Sequence, residues 1–307
     1  MPNATLLSLV NNAQGELGLP VSATVIGNAA ADAAQLRYLI NAVGQEIRRQ
    51  MQWQAATVAY TFTTPFYTYT ATTADDSTTL SVLSSTTGLT TDPTYFQVTG
   101  AGIPNDTYLV SVNAGAATAV MTNAATATGT AVSLTFSQVR FAMPSAFDRL
   151  IDRTDWDKTQ RWEMLGPETA QQWQWLKSSY ISTGPRVRFR VLGNLFQIWP
   201  ALAADHTLGW EYQSKYWIYA TASTSITKET FTVDTDTCIF PDRLMVVGLK
   251  RAYFLAKGFE PVFDSEYRME LDNAKAFDQG SPTLSLAPRL ASILIGFENL
   301  PDSGYGS

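Results

Sequence analysis

Apolar residues recur every three to four positions over 31–53. Leu36, Leu39, Ile40, Val43, Ile47 and Met51 line one side there, while Arg37, Gln45, Arg48 and Arg49 fall elsewhere. A helix places positions i, i+3, i+4 and i+7 on one face, so the spacing predicts an amphipathic helix. Asp32 is its expected N-terminal cap, and Arg48 and Arg49 suit a last turn where the helix dipole is negative. Burying the six apolar side chains contributes roughly 9 to 18 kcal/mol gross, at about 1.5 to 3 each. The same period predicts helices over 241–258, opened by Pro241 and Asp242, and over 262–279, stopped by Gly280, Ser281 and Pro282. The first eighteen residues read as a short amphipathic helix, without the basic start and sustained apolar run of a signal peptide.

Elsewhere the period drops to two. Residues 54–65 follow Trp53 as a strand, and 137–240 contain a hairpin pair at 184–200, a further strand from His206 and a short one at 231–233. Alternation sets Arg186, Arg188 and Arg190 on one face and Val187, Phe189 and Val191 on the other. A helix is expected to begin at Gly166 and Pro167, with Glu168 near its positive end and Trp173 and Leu176 on its buried side.

Between Arg49 and Arg140 there is no lysine, arginine, glutamate or histidine, and the only charges are Asp75, Asp76, Asp92 and Asp106. Short Thr-, Val- and Ala-rich runs separated by turn clusters fill this island, which predicts an inserted antiparallel, Ig-like β-sandwich over 66–136. Within it Gly100, Gly102, Ile103, Pro104 and Asn105 begin like a dinucleotide-binding loop. That loop requires a helix immediately afterwards, with its amides facing phosphate, and here a strand follows. A turn between two strands of a hairpin is the expectation.

Composition narrows the function. With 45% hydrophobic, 12% aromatic and only 16% charged residues, the 307-residue chain reads as folded and β-rich, with surface to spare for burial against other subunits. A net charge of -6 argues against a basic clamp on nucleic acid. One cysteine, Cys238, and one histidine, His206, exclude an intrachain disulfide, a multi-cysteine zinc site and a histidine-pair metal site. Both read as incidental, and no cofactor is called for. No run is apolar enough to span a bilayer. Asp148, Asp152, Asp155 and Asp157 alternate with Arg149, Arg153, Lys158 and Arg161; two or three such carboxylates can hold magnesium, but mixed signs are the mark of surface ion pairs. Trp156, Trp162, Trp173, Trp175 and Trp199 suit a stacking platform for single strands or, more simply, cores and subunit interfaces.

Three stretches carry a resemblance. The helix from Ala33 with the strand after it, the block from Met143 to Pro200 with its Phe-Asp-Arg-Leu-Ile-Asp-Arg-Thr and Trp-Gln-Trp-Leu-Lys-Ser runs, and the pattern from Asp234 to Gly258 resemble adaptor proteins of tailed bacteriophages. These head-to-tail connectors, the tail tubular protein A group, are matched by about three quarters of the chain, everything but the island. The resemblance implies a structural virion protein rather than an enzyme. Its members form a ring, commonly a dodecamer, that joins the portal protein to a tail tube or nozzle protein and lines the channel through which double-stranded DNA leaves. It also implies a location at the virion neck after synthesis in the host cytoplasm, and no membrane partner.

The expected fold is therefore α+β: a bundle of three to four helices with a β-rich portion, the inserted sandwich and an extended C-terminal tail. The divisions are 1–65, 66–136, 137–280 and 281–307. No catalytic residue follows from the family, so the candidates are interface residues. Arg48, Arg49, Arg186 and Arg188 are nominated for intersubunit ion pairs, and Leu290, Ile293, Leu294 and Phe297 for docking of an apolar tail. Two alternatives stand beside this: an insert that binds a fibre, a decoration protein or a host glycan through its Thr/Ser-rich faces, Tyr95 and Tyr108, and a metal-dependent hydrolase using Asp152, Asp155 and Asp157.

Overall fold

The computed structural model describes residues 3–178, 186–221, 223–260 and 262–279. Helices α1 (Leu6–Leu17) and α2 (Ala31–Gln50) lead through a single 3-10 turn (Gln54–Ala56) into β1 (Thr57–Thr63). The chain continues through β2 (Phe66–Thr73), β3 (Thr79–Leu80), β4 (Phe96–Gly100), β5 (Leu109–Asn113), β6 (Thr118–Met121) and β7 (Gly129–Gln138). Strands β8 (Arg140–Ala142), β9 (Phe147–Leu150), β10 (Trp156–Asp157) and β11 (Trp162–Glu163) precede α3 (Ala170–Lys177). Then come β12 (Arg188–Leu192), β13 (Leu195–Trp199), β14 (Thr207–Ser214), β15 (Ile218–Tyr219), β16 (Ile226–Lys228) and β17 (Thr237–Cys238), before α4 (Asp242–Ala256) and α5 (Asp264–Gln279). The class is α+β, with antiparallel ladders and no closed sheet among the described residues.

Four helices, α1, α2, α4 and α5, share one core. The predicted face of α2 is the buried one: Leu36, Ile40 and Ile47 are fully enclosed, while Leu39 and Met51 lie at the margin. Its start differs from expectation. Ala30 occupies the cap position and no side chain caps the helix, so Asp32 sits within the first turn. Two glycines let the layers close. A Cβ on Gly44 would lie 2.1 Å from the ring of Trp217, and one on Gly248 would lie 2.7 Å from Val43, so α2 can approach Trp217 and α4 only without those side chains. This core also takes in Trp217, Ile218, Phe231, Cys238 and Phe240, so the stretch after β14 belongs to the helices as much as to the sheets. Residues 231–233 do not form the expected strand. The N–H groups of Thr232 and Val233 donate to the Asp236 carboxylate, both at 3.0 Å, and this acid-centred turn replaces a ladder.

A second core lies between two sheets. One has the order β1-β14-β10-β11, with β9 also on β14, and the other the order β12-β13-β8. Phe189, Phe196, Ile198, Leu208, Trp210 and Tyr212 fill the space, and the Phe189 and Phe196 rings stack 5.0 Å apart. The alternation read around Arg188 holds, with Val187 and Phe189 inward. Helix α3 begins three residues later than Pro167. Leu165 and Glu168 pair instead with the backbone of Val187 and Phe189 at the edge of β12, which keeps 165–168 extended. Thr169 then caps the helix in a reciprocal box with Gln172, and Trp173 and Leu176 pack on Trp199.

The third core is drawn wholly from residues 71–136. Two three-stranded sheets, β2-β7-β4 and β3-β6-β5, contribute to it. The glycines at 100 and 102 do make a turn, but not one inside a simple hairpin. β4 pairs with β7 and β5 with β6, so the two strands enter different sheets, joined only by the Gln97–Tyr108 bridge. Leu134 against Gly100 and Ala127 against Gly102 occupy the room that side chains would need.

Candidate functional site

The charged block between Asp148 and Glu163 was the chemical candidate, and the fold takes it apart. Asp148, on β9, meets Arg48 of α2 at 2.8 Å. Asp157, on β10, is buried; its carboxylate accepts the N–H groups of Thr159 and Gln160 and lies 2.6 Å from Nδ1 of His206. His206 is thus not isolated, as its solitary place in the sequence suggested. The residues are 49 positions apart, and only the pairing of β10 with β14, which sets Asp157 opposite Leu208, brings them together.

Asp155 has no such partner. It is buried, one carboxylate oxygen has no hydrogen bond, and burial together with the nearby charges of Asp152 and Glu163 pushes its pKa up to about 7. Asp152 is exposed on the turn before it. Among the described residues no three His, Cys, Asp or Glu side chains come close enough to hold a metal ion. Cys238 is fully enclosed in the helical core, its thiol pushed up to about 12 by burial, and its Sγ faces the carbonyl of Phe240. A thiol so placed is a small apolar residue in its chemistry.

Beside β10 runs an open groove of about 450 Å³, with Asp157 among its lining residues. Ala59 and Gly209 form its floor, and Trp156, Lys158, Arg161 and Glu211 its walls. Lys158 reaches across to Thr61 Oγ1 at 2.8 Å. Small floor residues with aromatic and charged walls suit contact with another polypeptide.

The nominated interface residues divide into two kinds. Arg48 is only 7% exposed and engaged within the chain by Asp148, and Arg188 is engaged by Glu168 at 2.6 Å. Arg49 and Arg186 are exposed. Leu290, Ile293, Leu294 and Phe297 lie outside the described residues.

Tyr108 is not an outward contact either. It is 7% exposed, its hydroxyl donates to Asp106 at 2.6 Å and accepts from Lys177 of α3 at 2.8 Å, and the Arg140 guanidinium stacks 4.3 Å above its ring. Burial, then the hydrogen bond to Asp106, holds this phenol well above its usual range. Tyr95 is half-buried against the core of its own stretch. Tyr108 and Asp106, through Lys177 and Arg140, seam the 66–138 stretch to the rest of the molecule.

Sequence reasoning missed the largest apolar exposure. Phe277 is 88% exposed and Met269 56%, both on α5, and Val262 66% and Phe259 60%, in the connection between α4 and α5. Met269 and Phe277 fall within one side of the helix, away from the buried Tyr267, Leu271 and Ala274. The signal was present as Met269 and Phe277, two apolar residues off the buried face of the helix. No helix among the described residues is long and apolar enough to cross a membrane.

No family model matches the chain, and no curated protein is significantly similar to it.

Proposed function

We propose that this chain is a ring-forming structural subunit of a tailed-bacteriophage neck, an adaptor that joins the portal protein to the tail and lines the channel for exiting DNA. The observation that carries it is the set of exposed apolar side chains at the C-terminal end of the described helices, Phe259 and Val262 before α5 and Met269 and Phe277 on it. Large uncovered apolar side chains mark contact surfaces, and a closed ring requires two different faces on each subunit. The groove beside β10 offers the second face. In this reading α1, α2, α4 and α5 are the family's helical bundle, residues 66–136 are an inserted Ig-like sandwich, and 281–307 form the docking tail. The partners are copies of the same chain, commonly twelve in the family, the portal above, and a tail tube or nozzle protein below. Double-stranded DNA passes without sequence-specific grip, in keeping with the chain's net acidity. The protein acts at the virion neck, after synthesis in the host cytoplasm, and does no catalysis.

The test is a negative-stain image of the purified protein mixed with its portal. Rings on the portal are expected, absent when residues 282–307 are deleted from an otherwise folded subunit. Unchanged docking of the truncated chain removes the tail's role, and absence of any ring or portal complex removes the adaptor reading. The insert-as-attachment reading keeps the exposed threonines and serines of the insert and the half-buried Tyr95, but not Tyr108, which is buried. Excising 66–136 with a short linker tests it: fibre content and infectivity fall if the insert binds a fibre or receptor. The hydrolase reading has only the unpartnered Asp155, and calorimetric titration with magnesium or manganese decides it.

A further inference from the structure

The molecule carries a knob and a groove that one copy does not bring together. Phe277, on α5, is 88% exposed, so the groove of about 450 Å³ beside β10 leaves it outside. Ladder register builds the floor of that groove. Trp156, Gly209 and Thr61 lie side by side across β10, β14 and β1, and Ala59 pairs with Glu211 two residues along, so all five share one face of the sheet. A Cβ on Gly209 would lie 2.7 Å from the Lys158 side chain, and its absence lets Lys158 cross to Thr61 Oγ1 at 2.8 Å. The result is a bed of small residues beside Trp156, with room for an aromatic side chain and its neighbours.

Charge around the knob complements charge around the groove. Helix α5 carries Asp264, Glu266, Glu270, Asp272 and Asp278 against Arg268 and Lys275. Of these acids Glu270 lies two turns before Phe277 on the same side of the helix, about 10 Å along it. In the groove, Lys158 and Arg161 belong to the turn between β10 and β11 at one end. Glu211, whose N–H donates to Thr154 ahead of β10, marks the other end. Asp157 beside the cations is already engaged by His206. With Phe277 on the floor against Trp156, the helix direction that sends Glu270 toward Lys158 and Arg161 takes it away from Glu211.

We propose that α5 of one copy docks in the β10 groove of a second copy, with Phe277 on the bed of Ala59 and Gly209 and Glu270 against Lys158 and Arg161. The proposal rests on the ring-subunit reading above and names its contact. Knob and groove are different surfaces, so each copy gives one and receives one, and the series of contacts closes into a ring or runs on as an open filament. The Phe277 ring, desolvated against Trp156, is the anchor of the interface. Glu270 fixes the direction of the helix, because the reversed helix brings its carboxylate to Glu211.

Sedimentation velocity on the full chain tests it with two complementary variants: Phe277→Ala removes the knob and Ala59→Trp fills the groove. Both positions are exposed, so neither change enters a core, and circular dichroism checks that each variant is folded. The wild-type chain is expected to assemble beyond a dimer, and each variant alone to associate at least about tenfold more weakly. An equal mixture of the two variants forms a dimer and stops there, because it retains one knob and one groove. Arg161→Glu weakens association by a similar factor, and adding Glu270→Arg to the same chain restores it. A wild-type chain that stays monomeric, variants that associate as the wild type does, or a mixture that fails to dimerise overturns the proposal. Rings that Phe277→Ala forms on the portal as well as the wild type does overturn this contact and leave the adaptor reading standing. A wild-type chain that assembles through this contact and never docks on the portal supports the contact and removes the adaptor reading.

Discussion

Across the packed faces of α1, α4 and α5, Arg243 contacts both Glu16 and Glu266, and the buried Lys250 contacts the same two acids while lying 4.4 Å from the Phe263 ring. Between Phe66 and Gln138 no ion pair is internal to the stretch among the described residues. Its single ion pair, Asp106 with Lys177, points out to α3. There hydroxyls do the equivalent tying: Tyr69 donates to the Thr87 carbonyl, Thr73 to Ala127 and Thr107 to Pro104. Both regions enclose fully buried side chains. The difference is that one closes its margin with charge and the other with neutral hydrogen bonds, so salt and acid act on the first and hardly on the second.

The largest effect is expected from Trp217→Ala, which empties the space that Gly44 leaves for the ring. About 3–5 kcal/mol of stability should be lost from the helical core, seen as faster exchange of α2 and α4 amides, with the 66–138 amides unchanged. Equal weakening of both regions would merge them into one cooperative unit.

Next comes Asp155→Asn in the sheet core. A carboxyl raised to about 7 stays neutral in the folded chain where the unfolded chain has already ionised, so its cost builds as pH rises from the ordinary carboxylate range to about 7 and is constant above that. The substitution should therefore stabilise the protein by about 2 kcal/mol at pH 8, with the gain fading toward pH 4, as read by urea denaturation at both pH values.

Lys250→Met is expected to cost about 1–2 kcal/mol, held down because Glu16 and Glu266 are partly in water. Glu16 is held below the usual glutamate range, first by its hydrogen bond from Lys250, partly offset by burial. Its contribution is present above the ordinary glutamate pKa and is lost as pH falls through the lowered folded value. The wild-type helical core should thus weaken on acidification in a way the variant does not, while the insert is indifferent in both. Smallest is Tyr108→Phe, at about 1 kcal/mol or less. It removes the hydroxyl shared by Asp106 and Lys177, and limited proteolysis should find faster cutting at the joins near Pro65 and Val139, with both cores intact.

The α2, α4 and α5 helices were legible because an apolar period near 3.6 is a local property, readable from Leu36, Ile40 and Ile47 without knowing what they touch. The inward row of Val187 and Phe189 was legible from alternation. Where a local competitor won, the boundaries moved: the edge of β12 claimed 165–168 and delayed α3, and the Asp236 turn replaced the strand at 231–233. Pairings between distant segments were not legible. Nothing local says that β4 and β5 enter different sheets, that Asp157 meets His206, or that Arg48 turns inward to Asp148. Sequence by itself determined that the long periodic segments α2, α4 and α5 are helices and which face of α2 is apolar, since both follow from the geometry of a few neighbouring residues. Tertiary structure alone decided which strands share a ladder and which charges find partners, because those contacts close loops of tens to hundreds of residues and many registers satisfy the same alternation.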